Sequence, residues 1–214
     1  MAIVAIANQK GGCAKSTTAV HFAYWLRLKG YQVAVIDADA QRSSSIWFEG
    51  IADATVTVEV IQRARRLLQR VPELATQFDY CIIDGPAGLS EATKGILACA
   101  DLVVVPCQPT GVDLRSAADA IRLIRRVQTA RKGLPDVKVV LNRAVKGTLL
   151  KNEARERLQK AGIPLLSTII HQRQVIADTF GQGATVFHLA GSAAIEASQE
   201  FEALFTEILA TLQA

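Results

Sequence analysis

At 214 residues and 23.0 kDa the chain can bury a sizeable core, and one domain spanning 1–214 is the expectation. With 50% hydrophobic and 21% charged residues it reads as soluble and globular, and a cytoplasmic location is expected. No apolar run approaches the ~18 residues of a spanning helix, and no basic stretch precedes the first one as in a secretory signal. The formal net charge of +4 hides a segregation: residues 1–110 balance ten Lys/Arg against ten Asp/Glu, 111–173 carry fourteen against five, and 174–214 carry five acids and no Lys or Arg.

The first predicted strand, Ile3–Ala7, runs into Lys10-Gly-Gly-Cys-Ala-Lys-Ser-Thr17 and then into a helix over 16–29. Strand, glycine-rich turn and helix N-terminus together aim backbone N–H groups at a phosphate. Gly11 and Gly12 lack a Cβ, so the backbone can approach an anion and take positive φ. Lys15 is placed to meet the β/γ-phosphates and Ser16 to ligate Mg²⁺. The cradle is thus Lys10, Gly11, Gly12, Cys13, Ala14, Lys15, Ser16 and Thr17. An ordinary phosphate loop, GxxxxGK[ST], needs glycine at positions 9 and 14. Gln9 and Ala14 stand there, so the match is to KGGxxK[ST], with a second lysine, Lys10, at the front.

This pattern resembles the deviant Walker A box of the ParA/MinD group of ATPases. The resemblance implies ATP with Mg²⁺, ATP over GTP resting on it alone, and a homodimer that sandwiches the nucleotides. It also implies that Lys10 reaches across that interface to the partner's nucleotide. The second strand, Gln32–Asp37, closes in Val-Ile-Asp37-Ala-Asp39-Ala-Gln41. Aspartates at i and i+2 of a strand end point the same way, here toward phosphate and metal. The matching family stretch reads DxDPQ, and its second aspartate positions or polarises the attacking water. That role falls to Asp39, beside Lys10 and Lys15 as the catalytic set, and Asp37 is assigned to the Mg²⁺ neighbourhood. Ala40 replaces the family's proline, so the rigid turn that would set the switch geometry is missing.

A helix is expected over 57–71. The third strand, Tyr80–Asp84, then ends in aspartate before Gly85-Pro-Ala-Gly88, the Walker B pattern. Asp84 would hold Mg²⁺ through a water, and Gly85–Gly88 would be the second switch. There follow a helix over 90–99, strand Leu102–Cys107, helix 113–131, strand Val137–Asn142, helix 149–161, strand Leu166–Ile170 and a last helix over 192–212. Several strands are continuous Val/Ile runs, as strands buried on both faces are. The alternation predicts an α/β fold, a doubly wound mostly parallel sheet with helices on both faces and its ligands at the carboxyl ends of the strands. The resemblance implies the same architecture, that of a deviant P-loop NTPase.

Asn142 is either an adenine reader, as the matching family position implies, or a strand cap. His171 is expected to make ordinary hydrogen bonds. The stretches Ser45-Ile-Trp47, Gln108-Pro-Thr-Gly-Val-Asp-Leu114, His171-Gln-Arg-Gln-Val and Gly183-Ala-Thr-Val-Phe187 resemble the small ParF-like plasmid-partition ATPases. With them the resemblance spans nearly the whole chain. Cys13, Cys81, Cys99 and Cys107 lack metal-type spacing and read as buried, reduced thiols.

Arg122, Arg125 and Arg126 on the 113–131 helix, with Lys151, Arg155 and Arg157 on the next, form a basic face. No aromatic residue lies in 111–173 to stack on unpaired bases, and no helix-turn-helix or zinc pattern occurs. The expected ligand is therefore non-specific double-stranded DNA, held through its phosphates, and with it a nucleoid-associated location. The last helix is acidic, and its stripe of Phe201, Leu204, Phe205, Ile208 and Leu212 is expected to pack on the sheet rather than on a membrane. The reading that results is a ParA-type ATPase that dimerises on ATP and binds DNA non-specifically. It would position or segregate a plasmid, chromosome or protein cargo, with hydrolysis stimulated by a ParB-like or other cargo adaptor. The alternatives are a metabolic ATP-dependent enzyme of the same fold and a MinD-like membrane-associated ATPase.

Overall fold

The computed structural model describes residues 1–88 and 90–213. Seven strands, β1 (Ala2–Ile6), β2 (Val33–Asp37), β3 (Thr57–Val60), β4 (Tyr80–Asp84), β5 (Leu102–Cys107), β6 (Asp136–Ala144) and β7 (Leu165–His171), pair in the order β3-β2-β4-β1-β5-β6-β7. Every pairing is parallel. The helices are α1 (Lys15–Leu28), α2 (Ser43–Gly50), α3 (Ala64–Ala75), α4 (Glu91–Cys99), α5 (Gly111–Ala130), α6 (Leu150–Lys160), α7 (Gln174–Asp178) and α8 (Ser192–Gln213).

Parallel strands joined by crossover helices must bury both sheet faces, and the Val/Ile runs provide for that. One face packs Ile3, Ile36, Ile83 and Val103 under Leu67, Ile96, Ile124 and Leu158, from α3, α4, α5 and α6. The other packs Val4, Ile6, Val35 and Ile82 under Phe22, Trp47 and Phe201, from α1, α2 and α8. Four of the five stripe residues of the acidic last helix, Phe201, Leu204, Phe205 and Ile208, are fully buried there, so the helix is a structural wall of the sheet. Among the described residues no helix is long and apolar enough to cross a membrane.

The expected helix over 57–71 is corrected. Residues 57–60 form the edge strand β3 on β2, and α3 starts only at Ala64. Three of the four residues of Thr57-Val-Glu-Val60 are β-branched, which suits a half-exposed pleat better than a helix. The helical period begins after it, with Leu67, Val71 and Leu74 buried on one side of α3. Two short helices, α2 and α7, were not expected, being too brief for a periodic signal.

On the inner side of α1 sits His21, wholly buried. Its Nδ1 donates to Thr17 O at 2.8 Å and its Nε2 accepts from Val186 N–H at 3.1 Å, which fixes one neutral tautomer. The ring stacks on Phe201 with centroids 4.5 Å apart. Burial lowers its pKa from 6.5 to about 4. In the unfolded chain the imidazole takes up its proton at higher pH than in the fold, so the neutral-ring stability is complete above pH 6.5 and lost as pH falls toward 4. The loss reaches up to ~3 kcal/mol. Asp84, whose carboxyl burial pushes up to about 7, works the other way, gaining stability as pH falls through the same window, so the wild-type profile alone does not isolate His21. Asp84 is common to wild type and His21→Asn and cancels in their difference, so the urea-midpoint advantage of wild type over His21→Asn should shrink between pH 6.5 and pH 5. A difference constant over that range would refute the assignment.

Candidate nucleotide site

Strand β1 lies at the centre of the sheet, where the strand order turns from one side to the other, the usual crevice for a ligand in such folds. Ile6 registers with Asp84 and Asp84 with Asp37, so the loop's origin and both aspartates share one level at the carboxyl edge. The loop reaches α1 through two left-handed residues, Gly12 at φ 72° and Ala14 at φ 69°. The second explains why ordinary phosphate loops use glycine at that position. Among the described residues, no backbone carbonyl accepts from the N–H groups of Gly11 through Thr17. They are the free donors that a helix N-terminus leaves. Gly11, Gly12 and Ala14 through Thr17 line a cavity of about 960 Å³.

The two lysines of the motif are placed differently. Lys15 is 7% exposed, and its Nζ donates to Lys10 O at 3.1 Å, leaving an ammonium with donor capacity for an anion. The Lys10 side chain is 38% exposed, and its Nζ lies 2.8 Å from Oδ2 of the buried Asp113, at the start of α5. The Thr110 hydroxyl meets the same oxygen, while Asp113 Oδ1 is buried without a partner. Cys13 is buried, with Sγ 3.3 Å from Lys10 O, and burial raises its thiol pKa. Cys81 and Cys107 are buried and Cys99 half-buried, all four as free thiols.

The three aspartates also separate. Asp37 is fully buried, and both its oxygens are taken by backbone, Oδ2 by Ser45 N–H at 2.8 Å and Oδ1 by Asp39 N–H at 3.1 Å. It ties the segment between β2 and α2 to the sheet. Asp84 is fully buried with neither oxygen hydrogen-bonded, and the buried Ser44 hydroxyl is likewise unpartnered. Burial pushes the Asp84 carboxyl up to about 7, Asp37 adding to it, while the nearby Ser16 and Ser44 hydroxyls oppose it without reaching hydrogen-bond geometry. A buried carboxylate with no donor is costly alone. Asp84 with Ser16 therefore fits a Mg²⁺ ion and its waters, which would hold the carboxylate ionised. Asp39 is half-buried, lines the cavity, and accepts from Gln41 N–H at 2.9 Å.

Asn142 combines features of both sequence readings. Its Oδ1 accepts from Arg143 N–H at 2.7 Å as a strand cap, its Nδ2 lies 3.4 Å from Thr18 Oγ1, and it lines the cavity. His171 makes ordinary bonds, its Nδ1 lying 2.8 Å from Glu200 Oε1. Arg173 closes on both oxygens of the same glutamate at 2.6 and 2.7 Å. Sequence reasoning gave Arg143 no role and named Gln172, Arg173 and Gln174 only within a stretch that carries the family resemblance; all four line the cavity. Their nearness to strand ends was the other pointer to them.

The basic segment is partly neutralised from within. Lys146 and Arg173 pair with Glu196 of α8, and Arg122 pairs with Asp119. Arg125 and Arg155 donate to the carbonyls of Gly162 and Ser167. Arg115, Arg126, Lys132 and Arg157 are exposed, and among the described residues no carboxylate pairs with them.

Proteins of known sequence and structure resemble this chain over nearly its whole length. The family model described as the CobQ/CobB/MinD/ParA nucleotide binding domain matches residues 4–186. The Maintenance of carboxysome distribution protein A of Halothiobacillus neapolitanus is 27% identical over 211 residues, covering 96% of this chain and 95% of its own. Among solved structures, apo McdA of Cyanothece superposes with a TM-score of 0.82 at 18% identity, over 97% of this chain and 99% of that one. The ATP complex of a substituted McdA from Cyanothece gives 0.81 at 16% identity, over 97% and 96%.

Proposed function

The chain belongs to the CobQ/CobB/MinD/ParA nucleotide-binding domain family, whose ParA and MinD members are ATPases, and we propose that it is a ParA-type positioning ATPase. The observation that carries this reading is the pair of lysines: Lys15 lies buried in the cradle, whereas Lys10 stands at its rim with its side chain 38% exposed. One lysine suffices to hold phosphates; a second at the rim suits a nucleotide on the opposite subunit of a dimer.

In this reading the free N–H groups of the loop and Lys15 bind the β/γ-phosphates, and Ser16 and Asp84 hold Mg²⁺. The ion, when bound, neutralises charge that develops on the phosphates. Asp39 orients the attacking water, and Asp37, through its two backbone bonds, keeps Asp39 in place. Lys10 leaves Asp113 to meet the partner's nucleotide. Asn142 contributes to the adenine end. The exposed cations of α5 and α6 contact duplex DNA without reading sequence, which makes the protein nucleoid-associated. The relative named for carboxysome distribution suggests a protein assembly as cargo, with an adaptor that stimulates hydrolysis; a plasmid or chromosome uses the same chemistry.

Binding to non-specific duplex DNA should be measured with ATP, with ADP and with neither, across a salt series. The expected result is binding with ATP only, falling about 10³-fold between 50 and 200 mM salt if some six phosphates are neutralised by a dimer. Binding regardless of nucleotide would detach the basic face from the site. Absence of binding would leave it a solvated surface and overturn the DNA part of the reading.

A further inference from the structure

Near the end of β6 the ladder to β7 loses register between Leu141 and Ala144, and within that irregularity Arg143 adopts a left-handed backbone at φ 53°. A non-glycine residue there is strained, and bulges beside ligand sites commonly re-aim a side chain. The Asn142 side chain stabilises this turn by accepting from Arg143 N–H. The redirected guanidinium extends to the phosphate loop, where its Nη1 donates to Gly12 O at 3.0 Å. A second donor arrives from the end of β5: Gln108 Nε2 meets the same carbonyl at 3.1 Å. A carbonyl oxygen has two lone pairs, so that of Gly12 is fully taken.

The peptide that follows is planar and trans, so its C=O and N–H point in opposite directions. Fixing the Gly12 carbonyl therefore fixes the Cys13 N–H, one of the loop's free donors. Gly12 is the residue least able to hold its own peptide orientation, being left-handed and lacking a Cβ. We propose that Arg143 and Gln108 are positioning residues that preset the phosphate loop by holding the Gly12 carbonyl between them. The idea rests on the nucleotide-binding reading of the loop and adds a device in which the ends of β5 and β6 hold the turn that follows β1.

The test is a double-mutant cycle on ADP affinity, read with a fluorescent ADP analogue, alongside KM and kcat for ATP. Either donor can hold the carbonyl partly without the other. Gln108→Ala and Arg143→Ala should each weaken ADP binding about threefold to tenfold, and the double variant should weaken it by several-fold more than their product. The phosphates are held in ground and transition states alike, so the loss should fall on KM, with kcat within about twofold. Arg143→Lys, which retains one donor, should recover most of the affinity, and melting temperatures with and without ADP will separate misfolding from loss of binding. Independent effects of the two substitutions, or a fall in kcat at unchanged KM, would overturn the clamp and make Arg143 a direct contact. Failure of the wild-type protein to bind ADP would instead overturn the nucleotide reading itself, a result the cycle distinguishes.

Discussion

Replacing Asp39 by alanine is expected to lower kcat for ATP hydrolysis at least ~10²-fold while ADP affinity changes less than about threefold, the signature of a group that acts on the water and not on binding. The contrast with Asp37 gives the prediction its content. Both aspartates leave the end of β2, yet Asp37 is fully buried with two backbone donors, whereas Asp39 lines the cavity and carries a single bond from Gln41 N–H. Asp37→Ala should release the Ser45 and Asp39 N–H groups, leave buried donors unsatisfied, and cost stability as well as activity. Asp39→Ala should leave the fold intact, so its melting temperature should stay within a degree or two of wild type. Quench-flow phosphate release and equilibrium ADP binding on the two variants decide the matter. A loss of ADP affinity in Asp39→Ala would mean that it serves binding, and normal turnover would remove it from the chemistry.

Much of this site could be read in the chain because its parts lie in short contiguous stretches whose order dictates their meeting. Lys10 to Thr17 follows a strand, and Asp37 and Asp84 each end one, so a parallel sheet must bring them to one edge. The buried Val/Ile strands and the apolar stripe of α8 were equally plain, because burial on a sheet demands that pattern. Other features depended on tertiary context. Thr57–Val60 is rich in β-branched residues but too short for a periodic signal, and it became a strand because the edge of β2 was open to it along Ala34–Asp37. The difference between Asp37 and Asp39 lies in which backbone N–H groups happen to face each oxygen. Arg143 was missed because its importance comes from a left-handed backbone and a shift in β6 pairing that no periodicity encodes. The basic segment looked uniform, yet the acidic helix α8 consumes part of it, since Glu196 lies against Lys146 and Arg173.

The front lysine carries the other large effect. Lys10→Ala should bind ATP nearly as wild type, because Lys15 and the loop N–H groups remain, but its ATP-dependent dimer should weaken by more than ~100-fold. Each symmetric interface would lose two charge-assisted contacts to phosphate, each worth ~1.5–3 kcal/mol. The structure adds a complication that the sequence does not disclose. In the single subunit Lys10 pairs with Asp113, a carboxylate only 1% exposed, so the alanine variant leaves a buried charge with the Thr110 hydroxyl alone. Removing one partner of a buried pair is destabilising, though the exposure of Lys10 reduces the cost to about 1 kcal/mol. A loss of dimer in Lys10→Ala alone could therefore reflect a loosened start of α5. Adding Asp113→Asn removes the stranded charge and should restore the melting temperature without restoring the dimer. Light scattering with ATP on the single and double variants reads both effects. If Lys10→Ala with Asp113→Asn still dimerises on ATP, the lysine does not reach across the interface, and its pairing with Asp113 is its whole role.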